Sequence, residues 1–309
     1  MNKFFGLMML LLFAVSTVSY AVEVGGVNMN GDFRFRYTNN EAAGINDSMT
    51  VARARIKLSG NVTEDLSLVI QPDFAGLATG GAVGFAGAWA DLKCKKGFEH
   101  TLRCGQFYIP FSLGAGSYKT IVYPAHYNVI VPDRDYGLAL MTKVMEMDLA
   151  LSLTNGNGSG ADNNKAKDLS VKVVTDTPVG KVGLSGYYGK NGAAMTEQKD
   201  AGIYLLTQLS DVDLIAEYVI GGAWGGTGQL SNTYLTASMK IDDLEPLVQY
   251  QIYDVNTATS GNIVNTLTIG INKYLADNGS RMMLNYNIIG EETGSIANNT
   301  LIAQLRVKI

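Results

Sequence analysis

Residues Gly31–Thr38 read GDFRFRYT, and residues Val51–Gly60 read VARARIKLSG. In each stretch a cation occupies every second position of a short run, and the residues between the cations are apolar or aromatic. The cations are Arg34, Arg36, Arg53, Arg55 and Lys57. Because alternate side chains of a strand point to opposite faces, each stretch predicts a strand with one apolar and one cationic face. The surroundings of this cationic face therefore decide which class of protein the sequence encodes.

The same two-residue alternation recurs along nearly the whole chain, down to TLIAQLRVKI at Thr300–Ile309, without a convincing helical stretch. Seven short turns alternate with eight longer connections, so that sixteen strands are predicted and both chain ends fall on the short-turn side. This layout is typical of outer-membrane barrels. The longer connections are predicted near Asn39–Asp47, Ala75–Gly84, Phe107–Asp135, Asn155–Lys167, Lys190–Lys199, Gly221–Gly228, Asp254–Asn262 and Gly290–Asn298. The predicted fold is all-β, a transmembrane antiparallel β-barrel of about 16 strands, with fourteen as the alternative count.

The N-terminus has the features of an export signal. Lys3 precedes an apolar run at Phe4–Val15, and Ser19 and Ala21 provide the small residues that a signal peptidase reads. We predict a signal peptide at residues 1–21 and a barrel domain at 22–309, located in a bacterial outer membrane; a retained anchor is the alternative. Charged residues make up 17% of the chain, below the roughly 25% usual for soluble domains.

In a membrane barrel the charged faces must point inward, because an arginine facing lipid near the midplane costs roughly 2–4 kcal/mol. A barrel of about sixteen strands encloses water, so the five cations would form a band along the channel. One interpretation is that this band attracts anions. The other is that Asp32, Asp73 and Asp91 on neighbouring strands neutralise it. The sequence leaves both interpretations open.

The third long connection has the most distinctive local sequence. It opens with GQFYIPFS at Gly105–Ser112 and closes with VPDRDYGL at Val131–Leu138. Connections of this length in a compact fold are usually functional. The triplet Asp133, Arg134 and Asp135 is predicted to anchor the loop to the wall, and Lys119 is predicted to be freer and to line the pore.

These motifs, together with RARIKLSGNVTEDLSL at Arg53–Leu68, resemble the phosphate-selective porin O and P family of bacterial outer-membrane channels. The resemblance spans most of residues 22–309. It implies a sixteen-stranded, homotrimeric porin whose long third loop folds into the lumen. The net charge of −4 and the terminal Ile309, where an aromatic residue is usual, depart from the family pattern, so the resemblance does not establish phosphate selectivity.

The remaining candidate residues are few. Glu217 is predicted to line the channel and to pair with a basic neighbour. Cys94 and Cys104 flank a predicted hairpin turn centred near Phe98–Glu99, and they would form a disulfide or stand as two small residues on the lipid face. With only two histidines in the chain, a metal site is not expected, and no cofactor is implied.

The sequence therefore predicts a porin for passive diffusion of small hydrophilic solutes and ions, with an anion preference as a further hypothesis. Its predicted partners are outer-membrane lipid, small solutes or anions, and two further copies of itself, and nucleic acid is not among them. The alternatives are a barrel hydrolase, for which His126 is the one histidine near the external rim, and a structural or adhesion barrel.

Overall fold

The structure, a computed structural model, describes residues 22–24, 26–42, 45–114, 117–127, 129–192, 195–222, 228–293 and 298–309. The predicted signal peptide, residues 1–21, lies outside the described residues. The strands are β1 (Val22–Val24), β2 (Val27–Asn40), β3 (Ser48–Asn61), β4 (Leu66–Asp73), β5 (Gly84–Cys94), β6 (His100–Tyr108), β7 (Arg134–Val144), β8 (Met147–Thr154), β9 (Asp168–Thr177), β10 (Gly180–Asn191), β11 (Thr196–Leu209), β12 (Val212–Gly222), β13 (Gln229–Met239), β14 (Leu244–Asp254), β15 (Ile263–Tyr274), β16 (Arg281–Glu291) and β17 (Thr300–Lys308). A 3₁₀ turn covers Ala75–Thr79. No helix in these residues is long and apolar enough to cross a membrane.

Strands β2 to β17 form one closed antiparallel barrel. Each strand pairs with its neighbours along the chain, and β17 pairs with β2 to close the sheet. The three-residue strand β1 pairs with the start of β2, next to the place where Ile309 meets Gly31 through two backbone hydrogen bonds of 2.9 and 3.1 Å. The predicted barrel of sixteen strands is confirmed for the described part of the chain, and β2 begins and β17 ends on the short-turn side.

The connections alternate in length as predicted, with one difference. The predicted long loop at Lys190–Lys199 is mostly strand, since β10 continues to Asn191 and β11 begins at Thr196. Polar residues occupy both faces of this stretch and therefore hide the two-residue alternation. The short turns use backbone that suits tight hairpins: Met145 and Ser210 open two-residue turns with φ of 55° and 53°, the positive values that such turns require.

The two faces of the barrel wall differ in chemistry. In β14, Glu245, Gln249 and Gln251 are buried, while Val248 and Tyr250 between them are 44% and 48% exposed. The polar side chains therefore point into the barrel and the apolar ones point outward. This arrangement matches the expected membrane barrel, in which the outer surface contacts lipid.

Of the two interpretations of Cys94 and Cys104, the disulfide does not fit the register of the structure. The hairpin between β5 and β6 places Cys94 opposite His100 and Cys104 opposite Ala90, so the two cysteines lie in different rows of the ladder. Both are free thiols. The physical reason is the turn, which is centred near Gly97 instead of Phe98–Glu99, because a shift of the hairpin centre moves every cross-strand partner.

Candidate functional site

A row of arginines crosses the four strands at which the barrel closes. In the ladder Arg281 of β16 faces Arg306 of β17, Arg306 faces Arg34 of β2, and Arg34 faces Arg53 of β3. We call these four residues the arginine row. A bulge follows directly, because the register between β2 and β3 shifts after Arg34. Like charges directly opposite each other are destabilising, so this row requires compensation.

One carboxylate holds three members of the arginine row. Asp32 lies 2.8 Å from Arg34, 3.0 Å from Arg53 and 3.0 Å from Arg306. Tyr123 accepts a further hydrogen bond of 3.0 Å from Arg34. Three guanidiniums on one carboxylate leave a local excess of positive charge.

The other predicted cations divide into paired and uncompensated groups. Arg55 bonds to Asp73 at 2.8 Å, which cancels its charge. Arg36 bonds instead to the amide oxygen of Gln304 at 3.1 Å. Lys57 lies in register with Asn30, farther toward the short-turn end.

The two sequence interpretations of the cationic band are therefore each correct in part. Asp32 and Asp73 do pair with predicted cations, whereas Asp91 binds Arg103 at 2.7 Å, a residue outside the predicted set. The band keeps positive charge because Asp32 alone serves three arginines of the row.

The connection between β6 and β7, residues 109–133, is called the long segment here. Its contacts reach the polar faces of β2 and of strands β9 to β16. Within it, the Ser112 N–H donates to Ser185, the Ile121 N–H donates to Asn285 and the Ala125 N–H donates to Gln251. Its apolar residues Ile109, Phe111, Ile130 and Val131 pack against Tyr187, Val219 and Leu230 of the wall.

Glu217 of β12 is the main acceptor for the long segment. Its carboxylate accepts from the Ser112 hydroxyl at 2.5 Å and from the Leu113 N–H at 2.7 Å. The ring of His126 lies 3.4 Å away, and Tyr234 of β13 donates at 3.0 Å. Glu217 is 3% exposed. The expected basic neighbour of Glu217 is therefore a histidine of the long segment, accompanied by hydroxyl and backbone donors.

Lys119 is not free, contrary to the sequence-based expectation. Its ammonium lies 2.6 Å from Glu245 of β14 and 3.4 Å from Asp213 of β12. Burial alone would lower the pKa of Lys119, but its bond to Glu245 outweighs that effect and holds the pKa above its usual range. Lys119 therefore adds an ion pair between the long segment and the wall.

The triplet Asp133, Arg134 and Asp135, where the long segment joins β7, makes several contacts with its surroundings. Arg134 lies 3.3 Å from Asp133 and donates to the Tyr108 hydroxyl at 2.5 Å. Tyr127 donates to Asp133 at 2.7 Å. Asp135 is fully buried and accepts backbone hydrogen bonds from Tyr136 and Gly156. These contacts are of the kind that an anchor would make.

A cavity of about 460 Å³ lies between the arginine row and part of the long segment, beside the contact of Arg34 with Tyr123. Arg34, Arg53 and Arg306 border one side of it. Lys172 of β9 also lines it, and its ammonium donates to the Ser112 carbonyl at 2.5 Å. Asp133 is the one carboxylate among the described residues that line this cavity. Sequence reasoning missed Arg281, Arg306 and Lys172, although alternation in the last strand already places Arg306 on its polar face.

The hydrolase alternative depended on His126, whose Nε2 lies 3.2 Å from the Ser112 hydroxyl. That hydroxyl, however, donates to Glu217, so the carboxylate competes with the imidazole for the serine proton. The other ring nitrogen faces the Asn232 amide at 2.9 Å, where a catalytic triad would have a carboxylate. His126 is 3% exposed. The arrangement fits a buried polar contact that holds the long segment in place.

Comparisons with known proteins agree with this geometry. The family described as "Phosphate-selective porin O and P" matches residues 22–207, as the sequence motifs indicated. No curated protein matches the chain.

Several solved structures of outer-membrane proteins share the fold. The Salmonella typhi OmpF complex with daunomycin has a TM-score of 0.70 at 10% identity, covering 94% of this chain and 100% of that one. An anion-selective porin from Comamonas acidovorans has a TM-score of 0.68 at 14% identity, covering 91% and 98%. The trimer form of in-vitro folded OmpT from Vibrio cholerae has a TM-score of 0.65 at 11% identity, covering 93% and 100%. The chain belongs to the phosphate-selective porin O and P family and is an outer-membrane channel.

Proposed function

We propose that this outer-membrane porin lets small hydrophilic solutes and ions diffuse passively and that it prefers anions. The arginine row carries the proposal. Four guanidiniums face one another across β16, β17, β2 and β3, and Asp32 is the carboxylate that three of them share. A cleft lined by one sign of charge between low-dielectric walls focuses its field and raises the local concentration of counter-ions.

The proposal includes the position of the long segment. We infer that residues 109–133 lie inside the barrel and narrow it, with Asp133, Arg134 and Asp135 as their anchor. Contacts with inward-facing side chains such as Arg34, Glu217 and Asn285 support this position. Lys172 then faces the arginine row across the cavity, so a permeating ion would pass cations on both sides.

Assembly and export complete the proposal. We infer a homotrimer in the outer-membrane lipid, formed after cleavage of residues 1–21. The trimer form of the similar OmpT structure supports this, as does the exposed apolar outer face, on which Leu138, Leu153 and Leu169 are 48–61% exposed. Native gels with and without a lysine crosslinker would measure the stoichiometry, and mass spectrometry of the mature N-terminus would test the cleavage site.

The anion preference is tested by reversal potentials in planar bilayers under a potassium chloride gradient. We expect the wild-type protein to give the sign of chloride selectivity. The double variant Arg53→Gln and Arg306→Gln should lose most of that selectivity, because it removes two cations that border the cavity. Lys96→Gln, in an exposed turn, is the control for loss of a cation elsewhere. Cation selectivity of the wild-type channel would refute the proposal.

A further inference from the structure

The cavity between the arginine row and the long segment has two chemically different sides. The guanidiniums of Arg34, Arg53 and Arg306 supply the charge on one side. The opposite side carries Lys172 and Asp133 but is otherwise mainly apolar and aromatic. Its apolar part is formed by Ile109, Pro110, Phe111, Tyr127, Val131 and Pro132 of the long segment.

The hydrogen-bonding capacity of two members of the arginine row, Arg34 and Arg306, is largely occupied. Arg34 directs both Nε and Nη2 at the Asp32 carboxylate, at 3.1 and 2.8 Å. Arg306 does the same, at 3.0 and 3.1 Å. A bare oxyanion is held best by a guanidinium fork that gives two parallel hydrogen bonds. Because Asp32 already takes the forks of Arg34 and Arg306, these two arginines act on a passing anion mainly through their charge.

The apolar side imposes a second requirement on the solute. A strongly hydrated inorganic anion would have to give up water against Phe111 and Val131 without receiving replacement hydrogen bonds there. An anion with an apolar body would instead remove apolar surface of both partners from water while its charged end stays near the guanidiniums. Guanidinium and tyrosine planes also offer stacking surfaces to an aromatic ring.

We propose that this cavity is a binding subsite for organic carboxylates with an aromatic or otherwise apolar body, and that it favours them over inorganic oxyanions. The inference rests on the proposed anion preference and on the inward position of the long segment. It narrows the solute class from anions in general to amphipathic carboxylates.

The test measures how added solutes reduce the chloride current through single channels of the full-length protein in planar bilayers. The probes are sodium benzoate, sodium acetate, sodium phosphate and neutral benzamide. Benzoate should halve the current at a concentration roughly ten-fold lower than acetate or phosphate, a difference of about 1.4 kcal/mol. Benzamide should have little effect, because it lacks the charge.

Variants at Phe111 separate the apolar contribution from the charge. Phe111→Asn should remove most of the advantage of benzoate over acetate, whereas Phe111→Leu keeps an apolar side chain and should retain part of it. If Phe111→Asn does not fold, Val131→Thr makes the same change in polarity with almost no change in shape. The reversal potential in potassium chloride is measured for each variant, so that a change in the advantage of benzoate is compared with the chloride selectivity of the same channel.

The possible failures are distinguishable. Absence of chloride selectivity in plain potassium chloride would refute the proposed function itself. Chloride selectivity combined with equal effects of benzoate, acetate and phosphate would overturn only the amphipathic subsite. The same holds if phosphate reduces the current most strongly, or if benzamide acts as well as benzoate.

Discussion

Two opposite regions of the barrel wall carry charged residues, and the partners of these charges differ between the two regions. The closure wall, β16 to β3 through β17 and β2, holds the arginine row, three of whose members border the cavity. The wall from β7 to β12 holds the buried carboxylates Asp135, Asp168, Asp200 and Glu217. Among the residues that line the cavity, none of these four carboxylates occurs.

The difference lies in which groups satisfy the charges. Asp168 accepts hydrogen bonds from the Tyr187 hydroxyl and the Lys190 N–H, and Asp200 accepts from the Gln198 amide and the Gly222 N–H. Neutral donors thus surround Asp168 and Asp200 away from the cavity, while three arginines share one carboxylate beside it. The comparison indicates that the field in the channel depends less on net charge, which is −4, than on which charges border the open space.

The largest effect is expected from Asp32→Asn. Removing the shared carboxylate leaves Arg34, Arg53 and Arg306 facing one another without a counter-charge, so the free energy of unfolding should fall by about 3–5 kcal/mol. The remaining channels should be more anion-selective, because the local positive charge increases. Thermal unfolding in detergent and reversal potentials measure the two effects.

Asp277→Asn, in the exposed turn between β15 and β16, is the matched control for Asp32→Asn and should change neither property. If Asp32→Asn left both stability and selectivity unchanged, the arginine row could not be the determinant of the field.

A smaller effect is expected from Glu217→Gln. The amide keeps one acceptor oxygen but loses the charge that faces Ser112, Leu113 and His126, so unfolding should become easier by about 1–3 kcal/mol. A looser long segment should also raise single-channel conductance. Glu146→Gln, whose side chain is 91% exposed, provides the control. Unchanged conductance together with unchanged stability would exclude Glu217 as an anchor.

The parts of this structure that the sequence predicts are those encoded by local pattern. Two-residue alternation within GDFRFRYT and VARARIKLSG is enough to place Arg34 and Arg53 on the inner face, because facing depends only on neighbouring residues. The number of strands follows from the alternation of turn lengths. Local patterns do not specify cross-strand partners, as the two cysteines demonstrate.

The arginine row could not be read from local sequence because it depends on barrel closure. Arg34 lies in the first strand of the barrel and Arg306 lies in the last. Only the register between β17 and β2 brings these two residues together. A partial signal existed, since both termini were predicted on the same side and Arg306 lies on a polar face. The partners of Glu217 come from a segment about one hundred residues earlier, for which no periodic pattern exists.

A still smaller effect, on the anion-to-cation permeability ratio, is expected from raising the salt concentration alone. The screening length falls from about 10 Å at 0.1 M to about 3 Å at 1 M ionic strength. If the arginine row acts through its field, the anion-to-cation permeability ratio should decrease by roughly two- to three-fold over this range. Reversal potentials measured at a constant concentration ratio and increasing total salt would show this decrease. A ratio independent of salt would indicate selection by direct contact instead of by field.

The smallest effect is expected from Asp200→Asn on the opposite wall. Because Asp200 is 6% exposed and bonded by neutral donors outside the cavity, its neutralisation should leave the reversal potential unchanged. Stability should change by no more than about 1 kcal/mol, since the asparagine oxygen still accepts from Gly222. A shift toward stronger anion selectivity, comparable in size to that of Asp32→Asn, would mean that buried carboxylates also contribute to the field. In that case the contrast between the two walls would reflect only the arrangement of hydrogen bonds, and selectivity would follow the summed charge of the whole barrel interior.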